Sequence, residues 1–298
     1  MPRRKDIWRC GIIARPVDEV LAAGVVDGPV TWLPEEPSFQ FLADPFGLRG
    51  EDGRLHVFAE HYDYRTRHGV IEKLLFDDGL RLLDRRTCLR EPWHLSYPQV
   101  FAADGAVWML PEAHRSGAVT LYRDHGGLVD WRPECRIALD CVPVDATILR
   151  REGRWWLFYS PATTKATKLS HLHVAWAHSL CGPWTPHPGN PVRVDRRSAR
   201  PGGAAIELGG KIMLPVQDCT TTYGRAVRPL WIERLDERHF EAEAGDALIP
   251  PVDAGDYCKG MPSLTACGDV TRFDVKRIDA SLQGMALDVR RRIGRFRP

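Results

Sequence analysis

The sequence predicts an all-β protein, a five-bladed β-propeller, on three observations. One motif returns five times: an X-Pro or Asp-X anchor, a short extended run, a turn containing glycine, then an apolar strand. The turn glycines Gly53, Gly105, Gly153, Gly210 and Gly268 stand 52, 48, 57 and 58 residues apart, which suits a four-stranded blade with its loops. From Phe41 onward, short apolar runs alternate with Gly, Pro, Asn and Asp turns, and no linker divides the chain.

Taken in order, residues 1–40 read as a lead-in packing on the propeller. It holds a short strand near Trp8–Ile13 and a helical spacing over Pro16–Ala23, followed by loops rich in Pro and Gly. The first copy runs from Asp44-Pro45 through Gly53 to Glu60, and the second from Tyr97-Pro98 through Gly105 to Glu112. The third runs from Asp145-Ala146 through Gly153 to Tyr159, and the fourth from Arg200-Pro201 through Gly210 to Asp218. The fifth runs from Met261-Pro262 through Gly268 to Val275. Outer strands follow at Gly69–Phe76, Val119–Arg123, Leu172–Ala177 and Leu230–Leu235. The propeller is thus placed at 41–285. Residues 286–298 form a basic tail carrying Arg290, Arg291, Arg292, Arg295 and Arg297, which reads as a solvated segment.

The repeat predicts where polar groups gather. The anchor and the position about seven past the turn glycine lie on antiparallel strands, so both finish at the same end of a blade. Those places hold Asp44, Glu60, Glu112, Asp145, Arg200, Gln217 and Asp218, and the residues between them are mostly apolar. Radial stacking would bring them to one mouth of the central channel, where crowded carboxylates raise one another's pKa and favour acid/base chemistry. The plainer alternative is that strand ends are polar because they meet water.

Composition fits an enzyme-sized globular domain: 298 residues, 44% hydrophobic and 27% charged. The 10 tryptophans offer faces for sugar rings, though propeller cores use tryptophan too. A net charge of +2 argues neither for nor against nucleic acid, and no nucleic-acid partner is expected. No run of 18 apolar residues predicts a membrane span, and Met1–Ile13 lacks the apolar stretch of a signal peptide. The eight cysteines show no C-x-x-C pair, so reduced thiols and a cytoplasmic location are expected. His171 and His173 share one face of a strand. Such a pair can hold a metal but also suits a satisfied polar network, and neither metal nor cofactor is expected.

Several short motifs carry a family resemblance over about Phe41 to Lys276. Phe41-Leu42-Ala43-Asp44-Pro45-Phe46 and Asp145-Ala146-Thr147-Ile148, with Gly153-Arg154-Trp155-Trp156, resemble the first- and third-blade motifs of the five-bladed glycoside hydrolase family 43 and 32 superfamily. Gly182-Pro183-Trp184 with Asn190-Pro191-Val192 resembles the link after that third blade. More narrowly, His94-Leu95-Ser96-Tyr97-Pro98, Pro111-Glu112, Arg200-Pro201-Gly202 and Gln217-Asp218 with Tyr223-Gly224 resemble a family 43-like domain. That domain stands at the N-terminus of plant glucosamine inositolphosphorylceramide transferases and in bacterial proteins, some joined to formyltransferase domains. The resemblance implies a propeller with Asp44 as counterpart of the general base and Asp145 as counterpart of the aspartate that orients the acid. It departs in blade four, where Ala199-Arg200-Pro201 stands in place of a glutamate general acid.

The sequence therefore points to a carbohydrate-active protein, a glycosidase or glycosyl-transferring enzyme. Asp44 would be base or nucleophile, Glu112 the acid with a pKa raised by burial, and Asp145 the positioning residue. Glu60, His94, Tyr97, Arg200, Gln217, Asp218 and Tyr223 would hold the sugar. The partner is a glycan or a sugar-containing small molecule. The alternatives are a non-catalytic glycan-recognition module acting in polysaccharide or glycolipid biosynthesis, or a propeller serving as a protein-interaction platform.

Overall fold

A computed structural model describes residues 4–294 and has five antiparallel sheets arranged as a five-bladed β-propeller. The chain opens with β1 (Lys5–Ile13), α1 (Val17–Ala23) and β2 (Val30–Trp32). Blade one is β3 (Gln40–Arg49), β4 (Leu55–Asp63), β5 (His68–Phe76) and β6 (Leu82–Leu89). Blade two is β7 (Ser96–Ala103), β8 (Ala106–Glu112), β9 (Val119–Asp124) and β10 (Trp131–Ile137). Blade three holds β11 (Pro143–Arg151) and β12 (Arg154–Pro161), then α2 (Thr167–Ser170) and β13 (His171–Ala177), with short β14 (Thr185–Pro186) and β15 (Arg193–Val194) outside.

Blade four is β16 (Arg200–Pro201) and β17 (Ile206–Leu208), both against β18 (Lys211–Asp218), then β19 (Ala226–Leu235) and β20 (Phe240–Ala244). Its inner strand is split by Gly202-Gly203, where the chain runs against the backbone of blade five. A Cβ on Gly203 would lie 1.9 Å from Leu264 O. Blade five is β21 (Leu264–Cys267) and β22 (Val270–Asp279), completed by β1 and β2. The strands of the lead-in are thus built into a blade, since β1 pairs with β22 from Lys5↔Asp279 to Ile13↔Thr271. At the other end, α3 (Leu282–Gly294) takes in much of the stretch expected as a basic tail. The side chains from Arg290 onward, and residues 295–298, lie outside the described residues. No described helix is long and apolar enough to cross a membrane.

All five turn glycines sit on the inner hairpins with positive φ, from 57° at Gly268 to 80° at Gly210. Only glycine takes that conformation cheaply, which explains why the repeat is marked there. Between the hairpins the inner strands are sandwiched by neighbouring blades and buried on both faces, which accounts for continuous runs such as Val57-Phe58-Ala59. Apolar cores fill the junctions between neighbouring blades. Trp108, Ile148 and Trp155 lie between blades two and three, and Phe158, Leu172 and Leu214 between three and four. Trp108, Trp131, Trp155, Trp156 and Trp184 are spent on these cores.

The expectation of eight reduced thiols is corrected. Cys135 on β10 and Cys181 beyond β13 meet at the junction of blades two and three with Cα atoms 5.9 Å apart, and they form a disulfide. The other six cysteines are free thiols.

Candidate functional site

The innermost strands carry a device that composition does not reveal. Asp44, Tyr97 and Asp145 occupy matching places on blades one, two and three, and all are left-handed, with φ of 51°, 48° and 48°. At each the ladder slips: pairing jumps from Ala43 to Phe46, from Ser96 to Gln99 and from Val144 to Thr147. Pro45 and Pro98 cannot donate to a ladder, which helps break it in the first two blades. A bulge re-aims the side chain it carries, and a non-glycine residue held there stores on the order of 1–3 kcal/mol of strain.

Opposite each bulge, and opposite Arg200 in blade four, the second strand carries a polar residue near its end. Glu60 faces Ala43, Glu112 faces Ser96, Ser160 faces Val144 and Gln217 faces Arg200. Blade five adds Asp274, whose Oδ1 accepts from Ser263 N (3.2 Å) and Ser263 Oγ (2.7 Å), while its Oδ2 accepts from Asp44 N at 3.0 Å. Asp274 stands six residues past Gly268 and so obeys the repeat. Sequence reasoning read the strand but not this residue.

The carboxyl groups differ sharply in state. Asp44 is half-buried, and its carboxyl accepts no hydrogen bond among the described residues. Burial pushes it well above the usual carboxylate range, and the charges of Asp274 and Asp145 add to this against the pull of Arg200. Glu60 is buried and likewise pushed well up, by burial and then by Asp44, Glu112 and Asp274. Its nearest cationic partner is His94, whose Nε2 lies 3.6 Å away, but burial drops that imidazole to about 4 and keeps it neutral near pH 7. Asp274 is raised by burial and partly drawn back by its N–H and O–H donors.

Glu112 corrects an expectation. Burial does push its carboxyl up, but His114 overrides it and holds it at about 2. His114 N donates to Glu112 Oε1 at 2.6 Å, His114 Nδ1 lies 2.6 Å from the same oxygen, and Ser96 Oγ donates to Oε2 at 3.1 Å. This carboxylate is ionised and clamped, unlike the raised acid anticipated from its apolar strand.

Asp145 and Arg200 form a buried ion pair: Arg200 Nε donates to Asp145 Oδ2 at 2.7 Å, and Gln217 Nε2 donates to the same oxygen at 3.0 Å. Burial raises the Asp145 carboxyl and Arg200 opposes that rise. Oδ1 accepts no hydrogen bond among the described residues. Arg200 also donates through Nη1 to Lys168 O at 3.0 Å and lies 4.9 Å over the Tyr223 ring. Tyr223 is half-buried at this edge.

Two expected sugar-binding residues are otherwise engaged. The Tyr97 hydroxyl donates to Gly203 O (2.9 Å) and accepts from Gly203 N (2.5 Å), tying blade two to blade four. Asp218 follows Gln217 by one residue, so its side chain turns to the opposite face of the strand. It is fully buried there, accepting from Thr220 Oγ1 (2.6 Å) and paired with Arg225 (3.1 Å) and Arg228 (3.3 Å). Burial raises the Asp218 carboxyl, and these donors more than reverse it. Asp44, Glu60, Glu112, Asp145 and Asp274 perturb one another electrostatically, with Arg200, Gln217, His94 and Tyr223 close by. Asp218 stands outside that set.

Comparison with known proteins agrees with this architecture. Residues 20–250 match the family described as Glucosamine inositolphosphorylceramide transferase 1, N-terminal. The glucosamine inositolphosphorylceramide transferase 1 of Oryza sativa subsp. indica is 33% identical over 205 residues, covering 67% of this chain and 27% of that protein. The Arabidopsis thaliana protein of that name is 35% identical over 204 residues, covering 67% and 26%. The chain thus matches only about a quarter of the length of these relatives. Among solved structures, the catalytic domain of a Coprinopsis cinerea GH62 α-L-arabinofuranosidase aligns with a TM-score of 0.58 at 14% identity, covering 78% of each chain. An α-L-arabinanase from Cellvibrio cellulosa, complexed with arabinohexaose, aligns at 0.51 and 16%, covering 71% of this chain and 82% of that one. At such identities these likenesses bear on the fold alone.

Proposed function

Because the chain belongs to the family of glucosamine inositolphosphorylceramide transferase 1 N-terminal domains, we propose that it is a carbohydrate-active protein whose mouth cleaves or transfers a glycosyl group. One observation supports the reading: carboxyl groups close enough to perturb one another are pushed in opposite directions, the arrangement that assigns acid and base roles. Asp44 and Glu60 are driven toward the protonated form, whereas Glu112 is held ionised at about 2.

In this proposal Asp44, backed by Glu60, gives its proton to the leaving glycosidic oxygen. Asp145 presents its unpartnered Oδ1 as base or nucleophile, with Arg200 opposing the rise that burial imposes on its carboxyl. Glu112 is too weak a base at about 2 to take a proton efficiently, so its part is to stabilise positive charge on the sugar ring. Arg200, through the nitrogen it does not spend on Asp145 and Lys168 O, and Tyr223 contact the substrate in this reading. This reverses the roles that the resemblance implies for Asp44 and that burial alone suggests for Glu112.

A second reading, a glycan-recognition module, is favoured by one specific feature. Arg200 occupies the blade-four position where family 43 enzymes begin with a glutamate, and it is locked onto Asp145. Both readings are tested by screening a panel of glycans and sugar-containing small molecules for binding and turnover with wild type and Asp44→Asn. The variant keeps the shape of Asp44 and removes its proton donor, so turnover should fall at least ~10²-fold with binding largely kept. Equal turnover by both proteins would sink the catalytic assignment. Binding without turnover by wild type would leave the recognition module standing.

A further inference from the structure

Blade three carries a second cluster of chemistry-bearing side chains, separate from the carboxylate mouth. Asp140 and Cys141 lie in the connection between β10 and β11, and His173 lies near the start of β13. One donor atom of each falls within 4.8 Å of one from each of the others. His173 Nδ1 is buried and has no hydrogen-bond partner. Asp140 Oδ2 lies 3.8 Å from it, too far for a hydrogen bond. Two ligands bound at ~2.1 Å to one tetrahedral ion stand ~3.4 Å apart, so this gap needs only a small closure.

The surroundings of the cluster are those of an oriented ligand set. Tyr159 OH donates to Asp140 Oδ1 at 2.8 Å, fixing that carboxylate while Oδ2 lies on the His173 side. The Tyr159 and His173 rings pack at 5.5 Å between centroids. Such outer hydrogen bonds hold metal ligands in place. A cleft lined by Leu139, Asp140, Cys141, Val142 and Pro143 opens to solvent and gives an ion a way in. His171, which shares a strand face with His173, does not join the set, because its Nδ1 lies 2.9 Å from Ser170 Oγ.

We infer that Asp140, Cys141 and His173 bind a zinc-class divalent cation, with a fourth position left open. The mixture of carboxylate oxygen, thiolate sulfur and imidazole nitrogen suits a borderline-soft ion and disfavours calcium or magnesium. Binding would satisfy the orphaned His173 nitrogen, a buried polar atom that otherwise has no account. It would also tie the β10–β11 connection to β13, bracing the outer part of the blade that presents Asp145.

The test uses cobalt(II) as a coloured stand-in for zinc, titrated into the full chain after chelator treatment and desalting. One equivalent should bind per chain with a thiolate-to-cobalt charge-transfer band, and zinc should displace it. Cys141→Ser should abolish that band. Tyr159→Phe leaves all three donors in place and should still weaken affinity by ~10–100-fold, the usual effect of losing an outer hydrogen bond. Circular dichroism verifies the fold of each variant. Failure of wild type to retain cobalt, or a charge-transfer band that survives Cys141→Ser, would overturn the assignment.

Discussion

Replacing Arg200 by Met removes the cation from a pair whose members are 8% (Arg200) and 4% (Asp145) exposed and 2.7 Å apart. Losing one partner of a buried pair leaves the other charge uncompensated, at a cost of about 3–5 kcal/mol. The bond to Lys168 O and the contact over Tyr223 disappear with the same guanidinium. Gln217 Nε2 still donates to Asp145 and moderates the loss, so about 4 kcal/mol is expected. Asp145 has an escape, which is to take up a proton. Without Arg200 its folded pKa rises further above the unfolded value of about 3.9, the folded state binds more protons, and stability falls as pH rises. The penalty should therefore be smaller at pH 5 than at pH 8. Urea unfolding followed by tryptophan fluorescence reads this directly: a slope of ~2–3 kcal/mol/M turns the expected loss into a midpoint shift of about 1.3–2 M. Adding Asp145→Asn to the variant removes the stranded charge and should recover most of the loss. A penalty below about 1 kcal/mol, or one of the same size at both pH values, would refute the reasoning.

Tyr97→Phe strands the buried N–H and C=O of Gly203 and should cost about 2–4 kcal/mol in urea unfolding, with little effect on sugar binding. On the acid side, Glu112 is depressed to about 2, so its stabilisation is present above its ordinary value and drains away as pH falls through about 4 toward 2. His114→Gln should flatten that limb of the stability–pH curve, and an unchanged limb would count against the clamp. On the alkaline side, hydrogen bonds to Glu36 and Glu72 raise His61 to about 9. Its contribution is full below 6.5 and is lost as pH climbs to about 9, a decline that His61→Gln should remove from the thermal-melt profile.

The fold was legible because a propeller writes its geometry into local chemistry five times. Each inner hairpin needs a residue with positive φ, so glycine marks it, and each inner strand is buried on both faces, so it reads as an unbroken apolar run. The candidate site was legible only where it followed that repeat. Asp44, Glu60, Glu112 and Asp145 could be located from anchors and offsets, and Asp274 could have been by the same rule. The left-handed bulges were not readable, because Asp, Tyr and Asp have no shared preference for that conformation and it is imposed by the ring. Protonation was not readable either. The apolar strand before Glu112 suggests a raised acid, whereas His114, two residues on, decides the opposite. Asp218 fails for a simpler reason, since one step along a strand turns a side chain to the other face. The Cys135–Cys181 bridge spans 46 residues and rests on two blades meeting, which no local spacing announces.

The pairing of β1 with β22 sets the order in which the molecule can be assembled. A ribosome delivers β1 before the other strands of the propeller and β22 after them, and Lys5 Nζ finally donates to Gly284 O, 279 residues away. Until then blade five has no strand outside β22, and the newborn β1 carries unmet backbone groups and apolar side chains such as Ile7 and Ile12. Contacts of such long sequence separation slow folding and lengthen the exposure of sticky edges. Blades one to four can form in sequence as an open arc, but the carboxylate ring cannot. Asp274 reaches the backbone of Asp44 only when the circle closes, so the set of mutually perturbed carboxyls is complete only at that last step.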